Sequence, residues 1–380
     1  MNIAVILPSY QEANNIAFVT KIIDKGLMAV QVKFPEIKKV VIANIDSSSP
    51  DKTSEIFRKV KTKNSKISFI TKGKPGKGKN ILFFLKKYQE QFDIFVMLDA
   101  DLKSIKVDWI EKLISPIIRR KCDFVWPLYE RSRFEGSTTN HFAYPIIYTL
   151  SGRDIRQPIA GDFAFSKKFV KKISHLSKPK GAYYYGIDIF LSLQAVLHFS
   201  QLTQIKLGKK IHKPSFSNLE ILPQPASAVL DATRMKKLVL SSKVYSINFV
   251  SITKSQKFVH RKLAQKLLME KFLYVSDNLD RFRWLEKELK TKLSVIVNSK
   301  KPINEIVWAD ILSSWLSYAL SNRGKKHNSS KLSEELLPIF VIRAISFWEQ
   351  VIGGNPLVIE KIIRRQAKLT RKKFIVKMKI

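Results

Sequence analysis

Residues 94–101 read Ile94-Phe95-Val96-Met97-Leu98-Asp99-Ala100-Asp101: an apolar run, then two carboxylates separated by one residue. An unbroken apolar run of this length suits a strand buried on both faces, as in a parallel sheet. Two acids where such a strand leaves the sheet can share a divalent cation and its waters. Magnesium and manganese prefer oxygen ligands and bridge to substrate phosphates. The same texture recurs upstream, with strands expected at Ile3–Leu7, Val40–Ile45 and Ile67–Ile70, and helical patterns at Ala13–Val30, Thr53–Lys61 and Asn80–Gln91. Strands alternating with helices predict right-handed βαβ crossovers: an α/β, Rossmann-like, mostly parallel sheet with helices on both faces. Ligands of such sheets bind at the carboxyl ends of the strands, and every chemically suggestive motif of the first half falls at one of those ends.

The second of these motifs is Gly73-Lys74-Pro75-Gly76-Lys77-Gly78-Lys79-Asn80. It nearly spells a phosphate-binding loop, but Asn80 stands where a metal-binding hydroxyl belongs, and Pro75 removes a backbone donor. Lys77 and Lys79 beside a helix N-terminus still suit a diphosphate. Asp46-Ser47-Ser48-Ser49-Pro50-Asp51-Lys52-Thr53 follows the second strand; its acids suit a ribose or a helix cap, and Asp51 is expected to cap. Pro8-Ser9-Tyr10-Gln11-Glu12 follows the first strand and could stack a base or take a ribose hydroxyl.

Together these pieces resemble the GT-A fold of nucleotide-sugar glycosyltransferases over roughly residues 1–220. The likeness lies in Ile6-Leu7-Pro8-Ser9-Tyr10-Gln11-Glu12, in the Asp46–Thr53 segment, in Gly76-Lys77-Gly78 and in Asp99-Ala100-Asp101. Further motifs narrow it to glucosyl-3-phosphoglycerate, glucosylglycerate and mannosylglycerate synthases. These are Gly136-Ser137-Thr138-Thr139-Asn140, Tyr144-Pro145, Arg156-Gln157-Pro158-Ile159-Ala160-Gly161-Asp162-Phe163, Tyr185-Gly186-Ile187-Asp188 and the stretch ending at His212. The resemblance implies a retaining hexosyltransferase that uses Mg2+ or Mn2+, with Asp101 and His212 as metal ligands. Pro8, Tyr10, Glu12, Asp46, Ser47, Lys77, Asp99 and Ala100 would then line the nucleotide, and Asp188 would hold the donor sugar. Ile159 would offer its carbonyl near the attacking hydroxyl, with Asp162 beside it. Gly136, Ser137, Thr139 and Arg156 would meet the acceptor's carboxylate or phosphate. Ser137 replaces an arginine of the phosphoglycerate-using relatives, and Ala160 replaces a common glycine.

The implied partners are a GDP-, UDP- or ADP-hexose donor and a small carboxylate acceptor such as glycerate or 3-phosphoglycerate. Two other readings stay open: transfer to a polyprenyl phosphate or other membrane-surface acceptor, and an inactive module that binds RNA or an anionic surface. The chain's 68 basic against 31 acidic residues, a formal charge of +37 over 380 residues, keep both in view. No known nucleic-acid motif accompanies the charge, so no specific nucleic acid is expected.

Beyond Pro223 apolar residues recur at helical steps, at Leu263–Val275, Phe282–Leu293, Ile303–Leu320 and Leu332–Ile352. The expected division is therefore a glycosyltransferase domain at 1–222 and an all-helical region at 223–380. Its last stretch, from Lys361, carries nine basic residues and no acid. Aromatic Tyr183-Tyr184-Tyr185 could line a sugar site or pack in the core. The lone Cys122 excludes an internal disulfide framework and a multi-cysteine zinc site. The N-terminal apolar run is too short for a secretory signal. The longest apolar stretches are interrupted by Asp310, Arg343 and Glu349, so no membrane span is expected. A cytoplasmic protein is the expectation, with peripheral contact to an anionic membrane through the basic tail and a homodimer both left open.

Overall fold

Strand β1 (Asn2–Ser9) is an inner strand of the sheet, buried from its second residue onward because both faces are covered. In this computed structural model, residues 1–211, 216–234, 252–253 and 261–378 are described. On one side β1 pairs in parallel with β2 (Lys39–Asp46), which pairs in parallel with β3 (Ser65–Ile70). On the other it pairs in parallel with β4 (Ile94–Met97). β5 (Phe124–Glu130), β6 (Phe163–Ser166) and β7 (Leu202–Lys209) complete a seven-stranded sheet in the order β3-β2-β1-β4-β6-β5-β7. The sheet is parallel except around β6, which runs against both β4 and β5. That reversal matters for the site. Met97 at the end of β4 stands opposite Phe163 at the start of β6. The loop entering β6 therefore sits at the same sheet edge as the carboxyl ends of β1, β2 and β4.

Helices α1 (Ile16–Lys33), α2 (Thr53–Lys59), α3 (Lys77–Tyr88) and α4 (Asp108–Ile118) are the crossovers. The expected start of α1 at Ala13 falls three residues early. Residues 12–15 form a turn in which the Asn15 and Ile16 amides both donate to the Glu12 carbonyl (3.0 and 2.9 Å). α1 buries Ile16, Val19, Ile23, Leu27 and Val30, a three- and four-residue stripe against the sheet. Gly26 lets it approach α4, since a Cβ there would lie 2.7 Å from Ile110 Cγ1.

Helix α5 (Tyr144–Ser151) is followed by α6 (Lys167–Ser174) and α7 (Ile187–His198). The chain separates into two compact units, 1–129 with 159–214, and 130–158 with 215–380. The single cut expected after residue 222 thus misses that residues 130–158, including α5, group with the helical part. The first unit holds the whole sheet apart from the tip of β5. The second holds α8 (Pro223–Arg234), α9 (Arg261–Asp277), α10 (Lys287–Asn298), α11 (Glu305–Leu320), α12 (Ser329–Gln350) and α13 (Pro356–Met378). α11 and α12 begin on side-chain caps: Asn304 Oδ1 accepts from the Ile306 and Val307 amides, and Asn328 Oδ1 from those of Ser330 and Lys331. None of the described helices is long and apolar enough to cross a membrane.

The second unit is crossed by buried polar pairs. Arg156 donates from Nε to Glu360 at 2.7 Å and from Nη2 at 3.3 Å, and its guanidinium lies 5.2 Å from the Tyr144 ring centroid. His141 is fully buried, with Nδ1 3.2 Å from Gln366 Oε1 and its ring 4.5 Å from that of Phe347. Burial, with Arg343 nearby, holds its pKa well below the ordinary histidine value. The folded state therefore disfavours the proton that the unfolded chain accepts. This contribution to stability is present above the unfolded pKa of about 6.5 and is lost below it at roughly 1.4 kcal/mol per pH unit. His141→Gln is expected to shrink the drop in urea-unfolding free energy between pH 7.5 and pH 5.0. An unchanged drop would mean that other groups cause it.

Candidate active site

Two lysines and three aspartates meet at the carboxyl edge of the sheet. Lys77, the first residue of α3, places Nζ 2.7 Å from Asp99 Oδ1 and 3.2 Å from the Asp188 carboxylate. Lys210, just past β7, places Nζ 2.8 Å from Asp99 Oδ2, 2.7 Å from Asp162 Oδ2 and 2.7 Å from the Ala160 carbonyl. Asp162 is completely buried; its Oδ1 accepts from the Asp99 amide (2.8 Å), and its Oδ2 also takes the Tyr129 hydroxyl (2.8 Å). Each element contributes one group where it ends or begins: β4 Asp99, the loop before β6 Asp162, α3 Lys77, α7 Asp188, β5 Tyr129 and β7 Lys210.

The charges are strongly coupled. Burial would lower the Lys77 pKa, but the attraction of Asp188 and Asp99 outweighs it and holds the ammonium above its usual value. Burial would raise Asp99, yet Lys210 and Lys77 hold it below the usual carboxylate range. Asp162 and Asp188 are pushed up, first by burial, with the charge of Asp99 adding to it and the lysines opposing it. Perturbed groups of this kind cluster at functional sites, and structural ion-pair networks produce them as well.

Glycines explain how Lys77 reaches this point. A Cβ on Gly76 would sit 2.5 Å from the Tyr183 carbonyl oxygen, and one on Gly78 1.9 Å from that of Ala182. The Gly78 amide donates to the Tyr184 carbonyl at 3.2 Å. The Gly-Lys-Gly segment is thus pressed against the backbone of residues 182–184, leaving the lysine side chain one direction to take. Gly161 plays a similar part beside Asp162: its φ is +91°, and a Cβ would come within 2.3 Å of Asp99 Oδ2. Gly161→Ala is expected to cost about 1–3 kcal/mol of stability from the strained backbone and to weaken nucleoside diphosphate binding in the same protein. Calorimetric melting and titration with the diphosphate would check it; unaltered binding would show that the loop tolerates displacement.

The residues expected to line a nucleotide fall into two groups. Asp46 is 1% exposed; its Oδ2 accepts from the hydroxyls of Ser9 (3.0 Å) and Ser49 (2.6 Å), and its Oδ1 from the Ser49 amide (2.7 Å). It organises the turn after β2 from inside. Ser47 is tied to Asn80, whose amide nitrogen donates to Ser47 Oγ (2.9 Å) and to the Ile45 carbonyl (2.7 Å). Asn80 thereby fastens α3 to β2, a structural use of the residue that departs from the phosphate-loop pattern. Asp51 accepts from Thr53, as a cap would, although the residue at the helix start is Lys52 with φ +63°. Pro8 and Ala100 are buried in the floor, whereas Tyr10 is 42% exposed on the rim and Glu12 is partly exposed. Tyr183 and Tyr185 are exposed at 43% and 55% and so do not pack in the core. Lys79 is turned away, with its ammonium on the Lys72 carbonyl.

Of the residues read as metal ligands, Asp101 is partly exposed next to Asp99, and His212 lies outside the described residues. No group of three His, Cys, Asp or Glu side chains able to enclose an ion occurs among the described residues. The donor set is thus a carboxylate open to solvent on one side, which fits a cation that takes its other oxygens from phosphate and water. Ile159 is half-buried, and the next carbonyl, that of Ala160, is held by Lys210. Gly136 (φ +70°), Ser137, Thr139 and Arg156 belong to the second unit; Ser137 and Thr139 are buried, and Arg156 is committed to Glu360.

Two members of the cluster, Tyr129 and Lys210, are absent from the sequence reading. Lys210 is disguised by its neighbours, since Lys209-Lys210 reads as a solvated basic turn. Strand alternation counted from buried Leu207 points Lys209 inward. The positive φ of Gly208 (+78°) breaks that alternation and buries Lys210 at 6% exposure instead.

Residues 4–175 match the family described as Glycosyl transferase family 2. This likeness to a family 2 glycosyl transferase covers a little under half of the chain. The matched segment includes Lys77, Asp99, Asp101 and Asp162, while Asp188 and Lys210 follow it. A dolichol-phosphate mannosyltransferase of Pyrococcus furiosus is 28% identical over 187 residues, 46% of this chain and 48% of the relative. The chain thus spans about half the length of this curated relative. Among solved structures, a glucosyl-3-phosphoglycerate synthase from Mycobacterium tuberculosis in complex with Mn2+, UDP and phosphoglyceric acid aligns with a TM-score of 0.48 at 20% identity. That alignment covers 61% of this chain and 78% of the other. The same enzyme with Mg2+ and UDP gives 0.48 at 21% identity, with 61% and 79% covered.

Proposed function

We propose that the chain is a metal-dependent, retaining hexosyltransferase that moves a sugar from a nucleoside diphosphate to a small acid, glycerate or 3-phosphoglycerate. The observation that carries this reading is the Lys77–Asp99–Lys210–Asp162–Asp188 cluster at the carboxyl edge of the sheet, in a chain whose first 175 residues include the family 2 match. A sugar–diphosphate bond breaks with negative charge growing on the leaving phosphate, and fixed cations in a water-poor site stabilise that charge most. Lys77 is the cation placed to donate to it. Asp188, paired with Lys77, would accept from hydroxyls of the donor sugar. Asp101, with His212, would hold Mg2+ or Mn2+, which supplies Lewis-acid charge to the diphosphate. The acceptor hydroxyl would lose its proton to the departing phosphate oxygen on the same face of the sugar, so no protein carboxylate need act as a nucleophile.

A second acceptor class has its own support. The relative at 28% identity is named for transfer to dolichol phosphate, which favours a polyprenyl phosphate at a membrane surface. Mass spectrometry of products from GDP-, UDP- and ADP-hexoses, each offered glycerate, 3-phosphoglycerate and a polyprenyl phosphate in detergent, separates the two. Under either acceptor, Asp101→Ala and metal chelation are each expected to lower turnover at least a hundredfold. Full turnover in chelator would overturn the metal-dependent reading. A lipid-linked product alone would replace the small-acid acceptor.

A further inference from the structure

Four cations and no acid share one exposed face of α13. The exposed residues of this helix are Leu357, Val358, Lys361, Arg365, Lys368, Lys372 and Val376. At 100° per residue they share an arc of about 100°. The opposite face, with Ile359, Ile363, Ala367 and Phe374, is buried in the second unit. The only acid of the helix, Glu360, lies on that inner side, 3% exposed. Lys361, Lys368 and Lys372 have no ion-pair partner among the described residues, while Arg365 is 3.2 Å from Glu305 with its side chain still 59% exposed. The stripe is framed by apolar side chains at both ends: Leu357 and Val358 are exposed at 58% and 53%, and Val376 at 71%.

We infer that this face of α13 is a docking surface for an anionic lipid membrane. Four cations spaced at 361, 365, 368 and 372 form a line roughly 16 Å long, enough to meet several headgroups at once. Clustered lysines close to anionic lipid gain about fivefold in partition each, the equivalent of ~1 kcal/mol. The apolar residues at the two ends are what decides for lipid over nucleic acid. They can enter the headgroup boundary, as the apolar face of an interfacial helix does, whereas a phosphodiester backbone offers them nothing to bury against. The surface lies in the second unit and does not depend on which acceptor the first unit uses.

The test is sedimentation of the full-length chain with vesicles of phosphatidylcholine alone, or with 30 mol% phosphatidylglycerol added, at physiological salt. The expected result is strong binding to the anionic vesicles and little to the neutral ones. Reversing Lys361, Lys368 and Lys372 to Glu should weaken binding by more than the roughly 125-fold that the loss of three cations alone would give. Reversing Lys262, Lys266 and Lys301, three exposed lysines elsewhere in the same unit, should change it less than threefold. Leu357→Ser with Val376→Ser should weaken the part of the binding that survives high salt. Equal losses in the two charge-reversal sets, equal binding to both vesicle types, or binding to single-stranded RNA in place of vesicles would overturn the assignment. Titration of the same variants with nucleoside diphosphate reads the donor site separately, so failure of one reading is not mistaken for failure of the other.

Discussion

Replacing Lys77 by methionine is expected to lower kcat/KM for the nucleotide sugar by about a thousandfold, most of it in kcat. Removal of a single preorganised donor to a developing anion costs 10²–10³ in rate in comparable sites. Here the same substitution also strips Asp188 of its lysine, 3.2 Å away, and leaves Asp99 with Lys210 as its one remaining cation. Both carboxylates would then repel the incoming diphosphate. Lys77→Arg keeps the charge but must fit a forked, planar group between two backbone segments whose spacing is set by Gly76 and Gly78. It should recover less than a tenth of the lost rate. Steady-state kinetics with the best donor, alongside diphosphate affinity, checks both variants. Should Lys77→Met bind diphosphate and turn over normally, the lysine would be a structural tie alone.

Lys210→Met is expected to act mainly on stability. It leaves Asp162, which has no exposure, and Asp99 with one cation fewer, and breaking a buried pair by removing one partner costs about 3–5 kcal/mol. It also frees the Ala160 carbonyl and loosens the loop that enters β6. Adding Asp162→Asn to the variant removes the uncompensated charge and should restore more than half of the loss. A double-mutant cycle of unfolding free energies measures this coupling. Additive effects would mean that the two side chains do not depend on each other.

Much of this site could be read from the chain, and the reasons differ from residue to residue. Asp99 and Lys77 are legible because each sits directly after an unmistakable strand or at a glycine-rich helix start, where local pattern fixes position. Asp162 and Asp188 come from resemblance; their neighbourhoods, a four-residue strand and a helix buried along most of its length, have no periodicity that singles them out. β5 and β6 escape the reading for the same reason, and with them the antiparallel turn that brings 159–162 to the site. The sequence likewise suggests an acceptor role for Arg156 without showing its buried partner Glu360, 204 residues later. Long-range pairing of this sort leaves no local trace. Lys210 is the sharpest case, hidden by a single glycine's positive φ.

The lysine clamps also set a schedule. Lys77 and Asp188 are 111 residues apart, as are Asp99 and Lys210, so each closes a long loop whose entropy must be met before the contact rewards it. A ribosome delivering roughly 5–20 residues per second releases the glycine-rich turn and the paired acids well before their partners. During that interval the nascent chain carries the sequence motifs of a nucleotide site without the site itself. With Lys77 and Asp188 in the roles proposed above, the site is whole only when β7 joins the sheet and Lys210 ties Asp99 to Asp162, so binding of a diphosphate would report on completed assembly of the first unit.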